Sequence, residues 1–267
     1  MGAIYLAQEK YDDSLECYQK SIQIQKKSLP SHHIEILKNL ANVGWIYRLQ
    51  RNFKSARETL DEVLSHYQQS LPENHVEIAR TLFQIGNVLL DQYKYDDALK
   101  YYKQSLTMNQ KLFPEGHIDN AYCLDNMAIV FAYQRLLDDA LKATEESLRL
   151  KKMYLDSNHL ELALTLSNYG SRLADKDRID DALQYYLEAM KIYNEVMPNG
   201  NLNVASTLIS IGNSYLEKDQ FVNALNYFKK ASIIYKKLLP DNDSMRVKIE
   251  QNINEMENHL QQKTEHR

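Results

Sequence analysis

The chain has 267 residues, 44% of them hydrophobic and 25% charged, with only 7 glycines and 5 prolines. So few turn-formers exclude an all-β sandwich or barrel, which needs a turn signal every ~8–12 residues, and exclude collagen and low-complexity disorder as well. The 32 Lys+Arg against 36 Asp+Glu leave a net charge of −4, so no global field draws in nucleic acid or an anionic membrane.

From the N-terminus, MGAIYLAQEKYDDSLECYQK has no basic segment ahead of an apolar one, so it is not a signal peptide. Gly2 follows Met1, but Leu6 stands where a myristoylation signal needs Ser or Thr. No apolar run approaches the ~18 residues that span a bilayer. Cys17 and Cys123 are too few and too far apart for a disulfide framework or a metal knuckle. Free thiols suit a reducing compartment, and a cytoplasmic location is expected.

Pro30, Pro72, Pro114, Pro198 and Pro240 share one phase of a 42-residue period, with Asp156 at the missing step. Gly2, Gly44, Gly86, Gly170 and Gly212 follow the same period, and Ala128 fills their gap. A fixed period of this size means a repeat architecture. The divisions are a truncated first repeat at 1–29, repeats at 30–71, 72–113, 114–155, 156–197 and 198–239, and a capping helix with tail at 240–267. Within one unit, Ile78, Leu82, Ile85 and Leu89 form one amphipathic helical stripe, and Tyr95, Leu99, Tyr102, Leu106 and Leu112 form a second. Aspartate pairs suited to the positive end of a helix dipole open the second helix: Asp12–Asp13, Asp96–Asp97, Asp138–Asp139 and Asp180–Asp181. Each unit is therefore helix A, a short turn, helix B and a Pro-marked turn.

Glycine inside a helix costs about 0.5–1 kcal/mol relative to alanine, so its recurrence implies close helix approach. The matching small residues on helix B are Ser14, Ala56, Ala98, Ala140, Ala182 and Ala224, and small is expected to face small. Met1 falls in mid-helix A, in register with Val43 and Ile85. Either the first unit is degenerate or the chain is a fragment of a longer protein, and a fragment is expected. At the other end Met245, Ile249, Ile253, Met256 and Leu260 make a single apolar stripe, as a capping helix requires. The tail QQKTEHR is expected to fray.

The helix-A pattern of Leu, apolar, Gly/Ala and Tyr, followed by the helix-B Ala, resembles the tetratricopeptide repeat (TPR). The 42-residue form, as in HVEIARTLFQIGNVLLDQYKYDDALKYYKQSL from His75, is similar to the repeats of kinesin light chains. The resemblance implies an all-α fold: a right-handed TPR superhelix, or α-solenoid, of antiparallel helix pairs, with about five full repeats, a truncated first repeat and a C-terminal capping helix. It also implies that helices A line a concave groove that binds a peptide or partner segment. The candidate groove residues are Lys38, Asn42, Trp45, Arg48, Arg80, Phe83, Gln84, Asn87, Tyr122, Asn126, Asn168 and Asn213, all on helix A and off its core stripe.

An amide recurs at Asn42, Gln84, Asn126 and Asn168. It could bond a peptide backbone without reading sequence, or bond the next helix in a purely structural role. Trp45 is the only tryptophan, and Phe83 follows one unit on. Such residues anchor binding hot spots, with packing between units as the alternative reading. With Lys38, Arg48 and Arg80 nearby, the expected ligand carries acidic and aromatic or aliphatic side chains.

His33, His75, His117 and His159 also share the period, with Asn201 and Asp243 in the last two units. One repeat's spacing of roughly 10 Å is too wide for a shared zinc ion, and the Asn and Asp substitutes point to helix N-caps instead. No nucleotide loop, nucleophile elbow or HExxH motif is present, so no catalytic, metal or cofactor site is expected and the chain is read as a non-enzyme. Two functions compete. One is a protein-interaction scaffold, a kinesin-light-chain-like adaptor with the kinesin heavy chain as a partner by resemblance only, although no heptad coiled coil to join it lies in this chain. The other is the repeat region of a larger multidomain protein, such as an ADP-ribosyltransferase. Neither nucleic acid nor a membrane is an expected partner.

Overall fold

The computed structural model describes residues 1–265. They are helical almost throughout: α1 (Gly2–Ala7), α2 (Tyr11–Gln25), α3 (Ile34–Leu49), α4 (Phe53–Ser70), α5 (Val76–Asp91), α6 (Tyr95–Leu112), α7 (Ile118–Tyr133), α8 (Leu137–Tyr154), α9 (Leu160–Ala174), α10 (Ile179–Val196), α11 (Leu202–Glu217), α12 (Phe221–Leu238) and α13 (Ser244–Glu265). Odd-numbered helices from α1 to α11 are helices A and even-numbered ones helices B. The tail expected to fray continues α13 through Glu265, and residues 266–267 lie outside the described residues. The chain divides into two compact units, Met1–Tyr133 and Gln134–Arg267.

The helices A from α3 to α11, and the last helix α13, begin on a side-chain cap. Nδ1 of His33, His75, His117 and His159 accepts the backbone N–H two residues on, at 3.3, 3.1, 3.1 and 3.1 Å. Asn201 and Asp243 do the same work with side-chain oxygens, accepting from Val204 and Met245. A neutral imidazole nitrogen is as able to accept as an Asn oxygen, which explains the exchange of residue types within the column.

Helix A ends on a residue in the left-handed region: Glu9, Arg51, Tyr93, Arg135, Asp177 and Asp219, all with φ between 56° and 61°. The following N–H reaches back across the turn, as in Asn52 to Tyr47 O at 2.8 Å and Lys94 to Leu89 O at 2.9 Å, the bonding of a Schellman cap. That position normally favours glycine, because an L side chain there costs roughly 1–2 kcal/mol.

The glycines admit large side chains rather than small ones. A Cβ on Gly86 would lie 2.6 Å from Tyr102 Cε1, and one on Gly212 would lie 2.5 Å from Phe228 Cε1. Gly44 faces Leu60 and Gly170 faces Tyr186 in the same way. The expected small-on-small contact is therefore only half of the arrangement. The helix-B small residue, fully buried in every repeat, brings the backbones close, and the side chain one turn later fills the glycine's notch. In the repeat with Ala128 in the glycine column, the ring column holds Thr144. The buried residues form three neighbouring clusters in the first unit and one in the second. Leu60, Ile85, Val88, Ala98, Tyr102 and Met127 pack together in the first, and Leu166, Tyr186, Tyr193, Leu208, Phe228 and Ile249 in the second. Each large side chain so buried contributes roughly 1.5–3 kcal/mol.

Candidate functional site

In the first unit, side chains from successive helices A converge on an opening of about 320 Å³. Asn42 and Trp45 come from α3, Arg80, Phe83 and Gln84 from α5, and Asp119, Tyr122 and Cys123 from α7. Ser105 and Asn109 of α6 line it from below, and Leu6 of α1 also borders it. Trp45, Phe83 and Tyr122 are half-buried, so each keeps a ring face available at the opening.

The cations near the opening are already paired. Arg48 Nε lies 2.7 Å from Asp91 Oδ2, and its guanidinium stacks 4.5 Å from the Trp45 ring centroid. Arg80 Nε donates to Asp119 Oδ2 at 3.1 Å, and Lys38 Nζ lies 3.1 Å from Glu35 and 3.8 Å from Glu77. Pairs this accessible to water add little stability, but they neutralise the basic character expected of this face.

Two groove residues play structural parts. Asn87 is buried rather than exposed, because the Tyr102 hydroxyl below it and the Asn126 amide from α7 both donate to its Oδ1, each at 2.7 Å. Burial raises the Tyr102 phenol far above its ordinary value, so it stays a donor. Asn126 thus bonds the neighbouring helix A, the structural alternative for the amide column. Asn168 and Asn213 belong to the second unit. Asn168 is half-buried on α9, and Asn213 lines a separate opening with Ser171 and Ser210.

Four lining residues lie off the exposed helix-A columns. Ser105 Oγ donates to Ala79 O at 2.7 Å, and Cys123 Sγ sits 3.5 Å from Ser105 Oγ. Burial pushes the Cys123 thiol up to about 12, so it is an unreactive wall. Asn109 is 1% exposed and its Oδ1 is buried with no hydrogen-bond partner, as is Oε1 of Gln84. Asp119 completes the set as the partner of Arg80. Among the described residues no group of three or more His, Cys, Asp and Glu could hold a metal, and no helix is long and apolar enough to cross a membrane.

The tetratricopeptide repeat family model matches residues 1–69, 42–111, 77–153, 117–195 and 161–237. The chain belongs to the tetratricopeptide repeat family. Its TPR fold is shared with BtubC (BKLC) from P. vanneervenii, at 15% identity and a TM-score of 0.73, over 87% of this chain and 95% of that one. A kinesin-light-chain-like chain of nearly identical TPR-like repeats from Podosopora anserina matches at 14% identity and a TM-score of 0.57, over 73% of this chain and 93% of that one. YrrB, a TPR protein with an unusual peptide-binding site, matches at 18% identity and a TM-score of 0.51, over 84% of this chain and 95% of that one. No curated protein matches the sequence. TPR proteins as a class are interaction scaffolds. In this TPR array Asn109 carries a sequence signal: its helix-B column reads Gln25, Tyr67, Asn109, Lys151, Tyr193 and Tyr235, so a short amide stands among long side chains.

Proposed function

We propose that this TPR array is a protein-interaction scaffold, without catalysis of its own, that binds a partner peptide across α3, α5 and α7. The observation that supports it is the opening walled by Trp45, Phe83 and Tyr122 and floored by buried amide oxygens without partners. Aromatic surface beside unsatisfied acceptors favours a ligand that buries apolar area and brings hydrogen-bond donors. The paired state of Lys38, Arg48 and Arg80 makes apolar contact the main source of affinity. Acidic ligand groups would bind by displacing Asp91 or Asp119 from their arginines. YrrB, similar in fold, has a peptide-binding site, which favours the same use here. The kinesin-light-chain likeness lies in the repeats, and the partner proposed is a peptide rather than a motor chain. Cys17 and Cys123 are free thiols, which suits a reducing compartment.

Peptide arrays probed with the protein test this reading. Trp45→Ala combined with Arg80→Glu should reduce binding of the selected peptides by at least about tenfold, the loss of one hot-spot residue. Equal binding by the double variant would overturn it.

A further inference from the structure

One side chain bordering the opening in the first unit, Asn109, is short for its column. In the helix-B column one repeat apart, Tyr67, Tyr193 and Tyr235 are each 1% exposed, and Lys151 is fully buried. The second unit shows what these long side chains do. Tyr193 packs in the core with residues of α9 and α11, and the hydroxyls of Tyr67, Tyr193 and Tyr235 are buried without a hydrogen-bond partner. Lys151 extends from α8 to Thr165 Oγ1 at 2.8 Å and Glu161 Oε2 at 3.1 Å, both on α9. Two repeats before Ser167 and Thr207 stand Phe83 and Cys123, and both line the opening. Asn109 has a side chain too short to span the same distance.

The empty place has a defined chemistry. A cavity of roughly 150 Å³ accepts a benzene ring, so about 320 Å³ takes a phenol with room to spare. The ring faces of Trp45, Phe83 and Tyr122 favour an aromatic occupant by stacking. The buried oxygens of Asn109 and Gln84 need a donor. A cation is disfavoured, because Asp119, the counterpart of the Glu161 that pairs with Lys151, is already held by Arg80. What remains is a neutral ring with a donating tip.

We propose that the partner peptide inserts a tyrosine side chain between Phe83 and Tyr122 into this vacancy, its hydroxyl donating to the Asn109 amide oxygen. The guest phenol occupies from the groove side the place that the chain's own tyrosines fill from helix B in sister repeats. The assignment rests on the groove reading above and names its specificity.

The probe is N-acetyltyrosinamide, with N-acetylphenylalaninamide and N-acetyllysinamide for comparison. The readout is the indole N–H resonance of Trp45, the chain's single tryptophan. Tyrosinamide should shift that resonance saturably, and phenylalaninamide should bind about threefold or more weakly for want of one hydrogen bond. Asn109→Tyr should abolish the shift by refilling the space. Asn109→Ala, which enlarges the space and cannot overfill it, should keep ring binding and lose the preference for tyrosine over phenylalanine. The proposal is overturned by an unmoved Trp45 signal, by tighter binding of lysinamide, or by an undiminished tyrosine preference in Asn109→Ala. Panning a random peptide library separates this idea from the wider one. Peptides that need Trp45 but show no tyrosine enrichment sink the tyrosine subsite and leave the groove intact. Tyrosinamide binding without any Trp45-dependent peptide leaves the subsite and sinks the groove.

Discussion

The stretch α5–α6–α7 and the stretch α9–α10–α11 occupy the same place in the repeat, yet one is open where the other is filled. An opening of about 320 Å³ borders Asn109 in the first, and in the second the same column position holds the buried Tyr193. The backbones offer no reason for the difference. Helices α6 and α10 each run for 18 residues, and both keep a fully buried alanine, Ala98 or Ala182, with a buried tyrosine one turn on. An opening in this fold therefore needs no new loop or bend. On the reading proposed above, a short side chain in the buried column is enough.

The strongest way to break the contrast is to install the first stretch's residue in the second. Tyr193→Asn should cost about 3 kcal/mol, as expected when a buried aromatic side chain is removed, and should be read as a lower denaturant midpoint. Unchanged stability would mean that Tyr193 does not fill the space. Next in size, Gly86→Ala should cost about 1–3 kcal/mol by overpacking, because its Cβ would meet Tyr102 at 2.6 Å. Combining it with Tyr102→Thr should lose less than the sum of the two single changes, since the repeat with Ala128 carries Thr144 in that column. Simple additivity in a double-mutant cycle would refute the coupling.

The reverse exchange, Asn109→Tyr, should gain about 1 kcal/mol by filling the cavity and raise the thermal midpoint. A fall would show that Phe83 and Cys123 leave no path for the ring. Smallest in its power to distinguish the stretches is the cap. His75→Ala and His159→Ala should each cost about 1 kcal/mol, while His75→Asn stays within a few tenths, since Asn201 already serves in that column. Unequal losses by chemical denaturation would mean that the two stretches differ in more than the buried column.

The repeat and its helix pairs could be read from the spacing of proline and glycine, because both residues mark backbone geometry directly. The left-handed turns could not. Glu9, Arg51, Tyr93, Arg135, Asp177 and Asp219 have nothing in common except position, so no residue type announces them. Trp45, Phe83, Gln84, Arg80, Tyr122 and Asn42 do come together, as their shared helix face implies. Asn87 is buried although its column continues into Ser171 and the exposed Asn213, so the column alone does not announce burial. What buries it is Tyr102, from a different helix. Asn109 is hidden for a similar reason: the helix-A pattern says nothing of a residue that borders the opening from a helix B.

A chain assembled from near-copies of one unit faces a hazard during folding, since any helix B could dock on the wrong helix A. Lys151 bears on that hazard. Its ammonium is fully buried and meets Glu161 Oε2 and Thr165 Oγ1 on α9. At the positions equivalent to these partners α11 carries Asn203 and Thr207, and α5 carries Glu77 and Thr81. Against α11 the ammonium would be buried without a carboxylate, a cost of several kcal/mol. The column that holds Asn109 beside the opening thus labels α8 at Lys151, biasing it away from one wrong partner during assembly. Lys151→Met should remove the label, and refolding at high protein concentration should then yield more swapped or misassembled species than the parent chain does.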